Sequence, residues 1–233
     1  MKYQNKILKG SLIKRYKRFF ADIKLDKKII TAYCPNTGSL LGLLNEGLEV
    51  LVAVVDNPKA KLQYRLEAIK SGKVFVGINT SLPNLIVYEA ISNKKILKTL
   101  NYENLRKEVK YGKNSRIDIL AEGPSKNKTY IEIKSVTLSR QKNLAEFPDA
   151  ITSRGSKHLV ELSNKCIEGH KSYLVYLIQR KDIKNFSIAK DIDPEYYKNS
   201  QLAKKNGVKF IAYICDVSFD GIEIIKEIKI IEH

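Results

Sequence analysis

Two short stretches of the chain hold acids and a base at spacings that suit chemistry better than packing. In "TYIEIKSVTL" (129–138), strand alternation points Ile131, Ile133 and Ser135 to one face and Tyr130, Glu132, Lys134 and Val136 to the other. In "SRIDILAEG" (115–123) it groups Arg116, Asp118 and Leu120 on one face and Ile117, Ile119 and Ala121 on the other. A hairpin about the polar stretch between them, centred near Ser125, sets Asp118 directly opposite Glu132. Facing carboxylates repel and weaken a strand pair. A divalent cation removes the conflict, since hard cations prefer carboxylate oxygens and Mg²⁺ is typically held by one or two of them with waters and substrate phosphate. Lys134 would stand beside that cation, placed to polarise or deprotonate an attacking water or to stabilise charge building on a phosphate. The plain alternative is a solvated sheet face carrying a same-strand charge pair.

The elements that must position these residues follow from periodicity and punctuation. "SLPN" (81–84) marks a boundary, with Asn84 as N-cap of a helix running to about Leu100 and Glu89 in its middle. A strand or turn at "KEVKYG" carries Glu108, and the two chemistry-bearing strands follow. A helix lies within "EFPDAITSRGSKHLVELSNK", then a buried strand at 173–180. A third helix spans 193–207, with Asp193 as N-cap, Pro194 in the first turn and Gly207 as stop, before two closing strands. The order α-β-β-β-α-β-α-β-β predicts an α/β or α+β layer around one sheet. In the second helix, Arg154, Lys157, His158 and Glu161 form one polar stripe opposite Ile151, Leu159 and Leu162. That stripe is either a solvated face or a surface turned toward a phosphate. His170 and His233 look incidental.

Residues 1–80 read as β structure, with candidate strands at 12–25, 28–32, 50–55 and 63–78 separated by turn-forming residues. Short strands with the interleaved "IKRYKRFF" fit a small barrel of the OB kind. Tyr16 and Phe19 would stack on bases while Lys14, Arg15, Lys17 and Arg18 hold phosphate, with at least one of Phe19 and Phe20 kept for the core. The expected organisation is a nucleic-acid-binding barrel over 1–80 and a second domain over 81–233.

Composition bounds the function. The chain has 233 residues, 43% hydrophobic, enough to bury a real core. Lys and Arg number 42 against 25 acids, a net charge of +17. An AT-rich genome raises Lys by itself, but the deficit of acids favours a polyanionic partner, DNA first and RNA second. Cys34, Cys166 and Cys215 are odd in number and widely spaced, which fits a reducing cytoplasm and argues against a disulfide framework or structural zinc. The basic N-terminus lacks a following apolar run, and the longest aliphatic run, 50–55, is too short to cross a bilayer. A soluble cytoplasmic protein without a membrane partner is expected; a homodimer is compatible with the sequence.

Asp118, then Glu132-x-Lys134 on the adjoining strand after an upstream helix carrying an acid, resembles the PD-(D/E)xK nuclease superfamily, whose core order α-β-β-β-α-β is also the order read above. The resemblance implies that Asp118, Glu132 and the main-chain carbonyl of Ile133 bind Mg²⁺ or Mn²⁺, that Lys134 is the catalytic lysine, and that Glu89 is the auxiliary acid, with Glu108 a competing candidate. Ile117 stands where the superfamily often has proline, and Pro148-Asp149 follows Glu-x-Lys and so reads as a helix-start turn. Across nearly the whole chain, "GSLIKRYKRFFADI", "CPNTGSLLGLL", "NTSLPNLIVYEAI", "NSRIDIL", "YIEIKSVTL", "FPDAITSRGSKHLVEL", "LIQRKDI" and "IDPEYY" resemble, in order, the blocks of the sugar fermentation stimulation protein A family. That family implies a cytosolic DNA-binding protein with an OB-like N-terminal domain, a PD-(D/E)xK-type C-terminal domain and a regulatory link to sugar, notably maltose, metabolism. In "PNTGS", Pro35, Asn36 and Gly38 suit a turn, while Asn36, Thr37 and Ser39 could meet nucleic acid or the second domain. Arg154, Lys157 and His158 would then face the scissile phosphate. Two functions follow: a Mg²⁺-dependent phosphodiesterase acting on DNA, or a non-catalytic DNA-binding regulator of sugar metabolism.

Overall fold

The computed structural model describes residues 1–112, 115–124 and 126–232, so the expected turn centre Ser125 and the terminal His233 lie outside the described residues. The first unit is a barrel of β1 (Ile7–Tyr16), β2 (Phe20–Leu25), β3 (Lys28–Tyr33), β4 (Glu49–Val54), β5 (Tyr64–Ser71) and the short β6 (Val74–Gly77). Its order is β3-β2-β1-β4-β5-β6, and the pairing of Tyr33 with Arg65 closes β3 onto β5. This is the five-stranded OB-like barrel, with β6 appended. The expected strand at 12–25 is two strands, because Lys17 and Arg18 both take left-handed backbone (φ 48° and 62°) and fold the chain into a hairpin at Tyr16–Phe20. Leu12, Ile23, Val50, Val52, Leu66 and Ile69 fill the barrel.

The second unit is a nine-stranded mixed sheet with three helices among the described residues. Its elements are α1 (Pro83–Ser92), β7 (Asn104–Tyr111), β8 (Ser115–Glu122), β9 (Lys128–Val136), β10 (Leu138–Gln141), β11 (Leu144–Phe147), α2 (Ser153–Ile167), β12 (Lys171–Ile178), β13 (Asn185–Ile188), α3 (Pro194–Lys205), β14 (Lys209–Val217) and β15 (Ile222–Ile230). The strand order is β10-β11-β13-β15-β14-β12-β9-β8-β7. β9 pairs antiparallel with β8 and parallel with β12, and the βαβ crossover β9–α2–β12 lays α2 across one face. Leu159 and Leu162 of α2, Tyr196 and Ala203 of α3, and Tyr130, Leu174 and Tyr176 of the sheet share the core on that side. Residues of α1 and of the barrel cover the opposite face: Ile86, Val87, Ile7, Leu51, Ala53 and Ala68 pack with Ile131, Ile133, Val175 and Leu177.

Three local expectations are corrected. α1 stops at Ser92, well short of Leu100, with Lys94 left-handed (φ 52°) just past its end. Asn84 is not its cap; Leu82 holds that position and Pro83 opens the helix, so Asn84 lies in the first turn with its amide free to reach outward. In α2, Ile151 precedes the helix and is exposed, whereas His158 and Glu161 are buried with Leu159 and Leu162. The Thr152 hydroxyl accepts from the Gly155 N–H as N-cap, and Asp193, the α3 cap, also accepts from the Thr152 N–H, which ties the two helix starts together.

Candidate active site

The pairing of β8 with β9 places Ile119 opposite Ile131 and Glu122 opposite Lys128. One step further along both strands stand Asp118 and Glu132. The regular ladder ends there, and the Asp118 carboxylate accepts the main-chain N–H of Ile133 at 2.7 Å in its place. β8 continues to pair with β7 on its other side, Lys107 with Ile119 and Val109 with Ile117, so the intervening Glu108 meets Asp118 from the opposite flank. Glu108 is itself left-handed (φ 53°). Three acids therefore occupy one row across three strands. The alternation of β8 shifts at this rung: Ile119 packs toward α1, while Ile117 packs with Leu120 on the α2 side, contrary to the expected shared face of Ile117 and Ile119.

Neighbouring elements close the row. Asn84 of α1 donates its amide to Asp118 at 2.8 Å and to Glu108 at 3.1 Å. Glu89 is not brought here. It follows Asn84 by five positions, roughly 140° around the helix, and pairs with the Met1 ammonium at 3.4 Å. Of the two candidate auxiliary acids, Glu108 is the one in the row. From below, α2 presents His158, whose Nδ1 contacts Glu132 Oε1 and lies 3.3 Å from Lys134 Nζ. Lys134 Nζ donates to the same Glu132 oxygen at 2.8 Å. Nδ1 can donate to Glu132 or accept from Lys134, not both, so the imidazole tautomer decides which neighbour it serves.

Electrostatics separates the two facing acids. Burial, and then the charge of Glu132, push Asp118 up to about 6 against the opposing pull of the Ile133 N–H, Asn84 and Lys134. Burial also acts to raise Glu132, but Lys134 and His158 outweigh it and hold its carboxyl below the ordinary value. Glu132 is 2% exposed, and its Oε2 has no hydrogen-bond partner. Buried carboxylate oxygens are normally satisfied, and this one keeps lone pairs that a cation or a water could use. Next to it, Glu161 of α2 accepts from Ser115 at 2.9 Å and approaches Lys157 at 3.8 Å, while its Oε2 and the Tyr111 hydroxyl are also buried without partners. Burial and then the charges of Glu132, Glu161 and Asp118 raise the Tyr111 phenol well above its ordinary value. Among the described residues, no three His, Cys, Asp or Glu side chains converge as a ready-made metal cage.

The expected nucleic-acid residues divide by structural duty. Lys17 and Arg18 are exposed at the hairpin tip. Arg15 is not free beside them: its guanidinium donates to the carbonyls of Arg18, Gly38 and Asn36, clamping the tip onto the "PNTGS" loop. Lys14 lies over the Tyr16 ring, and Tyr16 stacks on Phe20 and donates to Asp22, so both are tied within the barrel. Asn36 is buried, donating to the Ile78 carbonyl and accepting from Gly38 N–H, while Thr37 is exposed. Ser39 meets the second unit, donating from both N–H and hydroxyl to Asp149. Arg154 and Lys157 stay exposed on α2 while His158 turns inward. The sequence reading missed Asn84, which it took for a cap, and the inward turn of Glu161; Pro83 at the helix start was the signal for the first.

Comparison with known proteins supplies a family. Residues 81–221 match the model described as the sugar fermentation stimulation protein RE domain, and residues 13–78 match the SfsA N-terminal OB domain. A sugar fermentation stimulation protein homolog of Pelagibacter ubique is 50% identical over 231 residues, covering 99% of each chain. The homolog of Rhodospirillum centenum is 43% identical over 231 residues, again 99% of each. The solved structure of Pyrococcus furiosus SfsA in complex with Ca²⁺ matches with a TM-score of 0.87 at 24% identity, over 100% of this chain and 98% of that one, and so shares the fold. The chain belongs to the sugar fermentation stimulation protein family.

Proposed function

We propose that this protein hydrolyses phosphodiester bonds in DNA with the help of a divalent cation, Mg²⁺ or Mn²⁺, in the manner of PD-(D/E)xK nucleases. The observation that carries this reading is the row of Asp118 and Glu132, with an unpartnered buried Glu132 oxygen beside Lys134. Asp118, Glu132 and the Ile133 carbonyl would hold the cation, and a donor set of two carboxylates suits an ion that keeps several waters. Once bound, the cation would supply Lewis acidity toward a phosphate oxygen and a more acidic water.

The chain's own residues have separable tasks. Lys134 offers a positive donor where the attacking water and the charging phosphate meet. His158 holds Glu132 from the α2 side and offers Lys134 a nitrogen acceptor when Nδ1 is unprotonated. Asn84 fixes Asp118 and keeps Glu108 alongside it. The net charge of +17 and the exposed Lys17, Arg18, Arg154 and Lys157 supply attraction for a polyanion. That the Pyrococcus furiosus relative was solved with Ca²⁺, another oxygen-seeking cation, agrees with this reading.

Incubating the protein with single-stranded, duplex and branched DNA and with RNA, in Mg²⁺, Mn²⁺ or chelator, tests it. Metal-dependent cleavage abolished by Lys134→Ala is expected. Binding without cleavage of any form would favour the non-catalytic regulator of sugar metabolism instead, a role for which facing acids serve no purpose.

A further inference from the structure

We propose that the groove between two barrel loops binds the unpaired bases of a single-stranded polynucleotide, making single-stranded nucleic acid the substrate class of this protein. As a statement about substrate it rests on the nucleic-acid reading above; as a statement about binding it stands on the barrel alone. OB barrels take oligonucleotides on the face of their second and third strands, between the loop joining strands one and two and the loop joining four and five. Here those loops are 17–19 and 55–63. A groove of about 680 Å³ lies there, lined among others by Phe19, Tyr33, Pro35, Lys61, Leu62 and Arg65, with no acidic side chain in its wall.

Two features suit this groove to a nucleotide. Phe19 and Tyr33 are 43% and 41% exposed, and their rings lie 6.5 Å apart and only 7° from parallel. They form an open two-ring platform that no core packing requires. Aromatic faces bind bases by stacking with little regard to sequence. Arg65 is aimed by a built support: its Nε donates at 2.6 Å to Glu67, which is 0% exposed and takes a second bond from Asn79 at 2.7 Å. A fully buried carboxylate is retained only with such partners. Among the described residues, the terminal nitrogens of Arg65 donate to no protein atom, leaving a fixed planar cation beside the platform for phosphate or base edge. Lys61 and Arg65 favour an anionic occupant, and the platform suits a base with a free face. Duplex interiors offer none. Thr80 and Ser81, which also line the groove, lie just ahead of α1, the helix that carries Asn84 to Asp118.

The test measures fluorescence anisotropy of a labelled oligothymidylate of roughly 12 nucleotides, within OB site sizes, on the full chain in chelator. Phe19→Ala and Tyr33→Ala should each weaken binding by about five-fold or more, and Lys61→Gln should reduce the salt slope by about one. Thermal midpoints should stay near the parent value, and unlabelled duplex should compete poorly. Unchanged single-strand affinity in both ring variants, or duplex competing as well as single strand, overturns the proposal. Adding Mg²⁺ separates it from the hydrolytic reading. Ring variants that bind weakly while the parent cuts nothing leave the groove standing and remove hydrolysis. Ring variants that bind and cut as the parent does remove the groove and leave the site.

Discussion

At the scale of single residues, the site is a contest between two carboxylates that one buried rung forces together. Asp118 is raised to about 6 from an ordinary 3.8, so the folded state takes up its proton more readily than the unfolded chain. Without a cation, that difference makes stability fall as pH rises from about 4 to about 6, by up to roughly 3 kcal/mol. Glu132 acts in the other direction and in a lower window: its depressed value contributes stability above about 4.5 that is lost as pH falls further. Urea unfolding of the metal-free protein between pH 4.5 and 7 should show the Asp118 slope, and Asp118→Asn should flatten it. If Mg²⁺ binds as proposed, it should raise the stability of the parent near pH 7.5, since a ligand bound only by the native state stabilises it, and the same substitution should abolish that rise. That rise should shrink in the parent below pH 6, where the proton competes. A flat parent profile, or an equal Mg²⁺ shift in Asp118→Asn, contradicts the assignment. This pair was legible in the sequence because strand period and a symmetric turn fix register by arithmetic. Glu108 was legible only as one of two candidate acids, and Asn84 and the inward turn of Glu161 were not legible, since their approach depends on a helix start and the rotation of α2.

At the scale of elements, the hairpin tip shows charge and conformation pulling against each other. Turns with left-handed residues usually use Asn and Gly, yet Lys17 and Arg18 hold φ of 48° and 62°. Each such residue is strained by about 1 kcal/mol. Arg15 offsets this by bonding the Arg18 carbonyl and the loop at Asn36 and Gly38. Arg15→Ala should therefore lower barrel stability by about 2 kcal/mol, as loss of charged hydrogen bonds does. Lys17→Ala should leave stability within roughly 0.5 kcal/mol and reduce the salt slope of the proposed DNA binding by about one. Denaturation and salt titration of both variants check this; a salt effect without a stability effect in Arg15→Ala would return that residue to the phosphate-binding group. Sequence alone joined β1 to β2 because neither tip residue is a turn former. It also passed over β10, β11 and β13, whose four residues each are too few to express a period.

At the scale of the whole molecule, the barrel is one of the two covers of the sheet. β4 shows how: Val50 and Val52 fill the barrel, while Leu51 and Ala53 point outward into the core shared with α1, β9 and β12. Its unbroken aliphatic run is therefore that of a strand buried on both faces. Further ties join the units, with Gly77 N–H donating to the Gln179 carbonyl, Ser39 bonded to Asp149, and Met1 paired in backbone with Ile222. A Cβ on Gly77 would meet Gln179 Oε1 at 2.5 Å, so even a methyl group disturbs that seam. Calorimetry of the parent should give one unfolding transition, because neither unit can shed the other without exposing Leu51, Ala53, Ile86 and Val87 together. Ala53→Asp places an unpaired charge on the shared face while leaving the barrel interior untouched. It should lower stability by about 3–5 kcal/mol and split the transition in two, as barrel and sheet part. A single transition at the parent midpoint in that variant would mean that the barrel only rests on the sheet, and that the acid row is held by β7, β8, β9 and α1 without it.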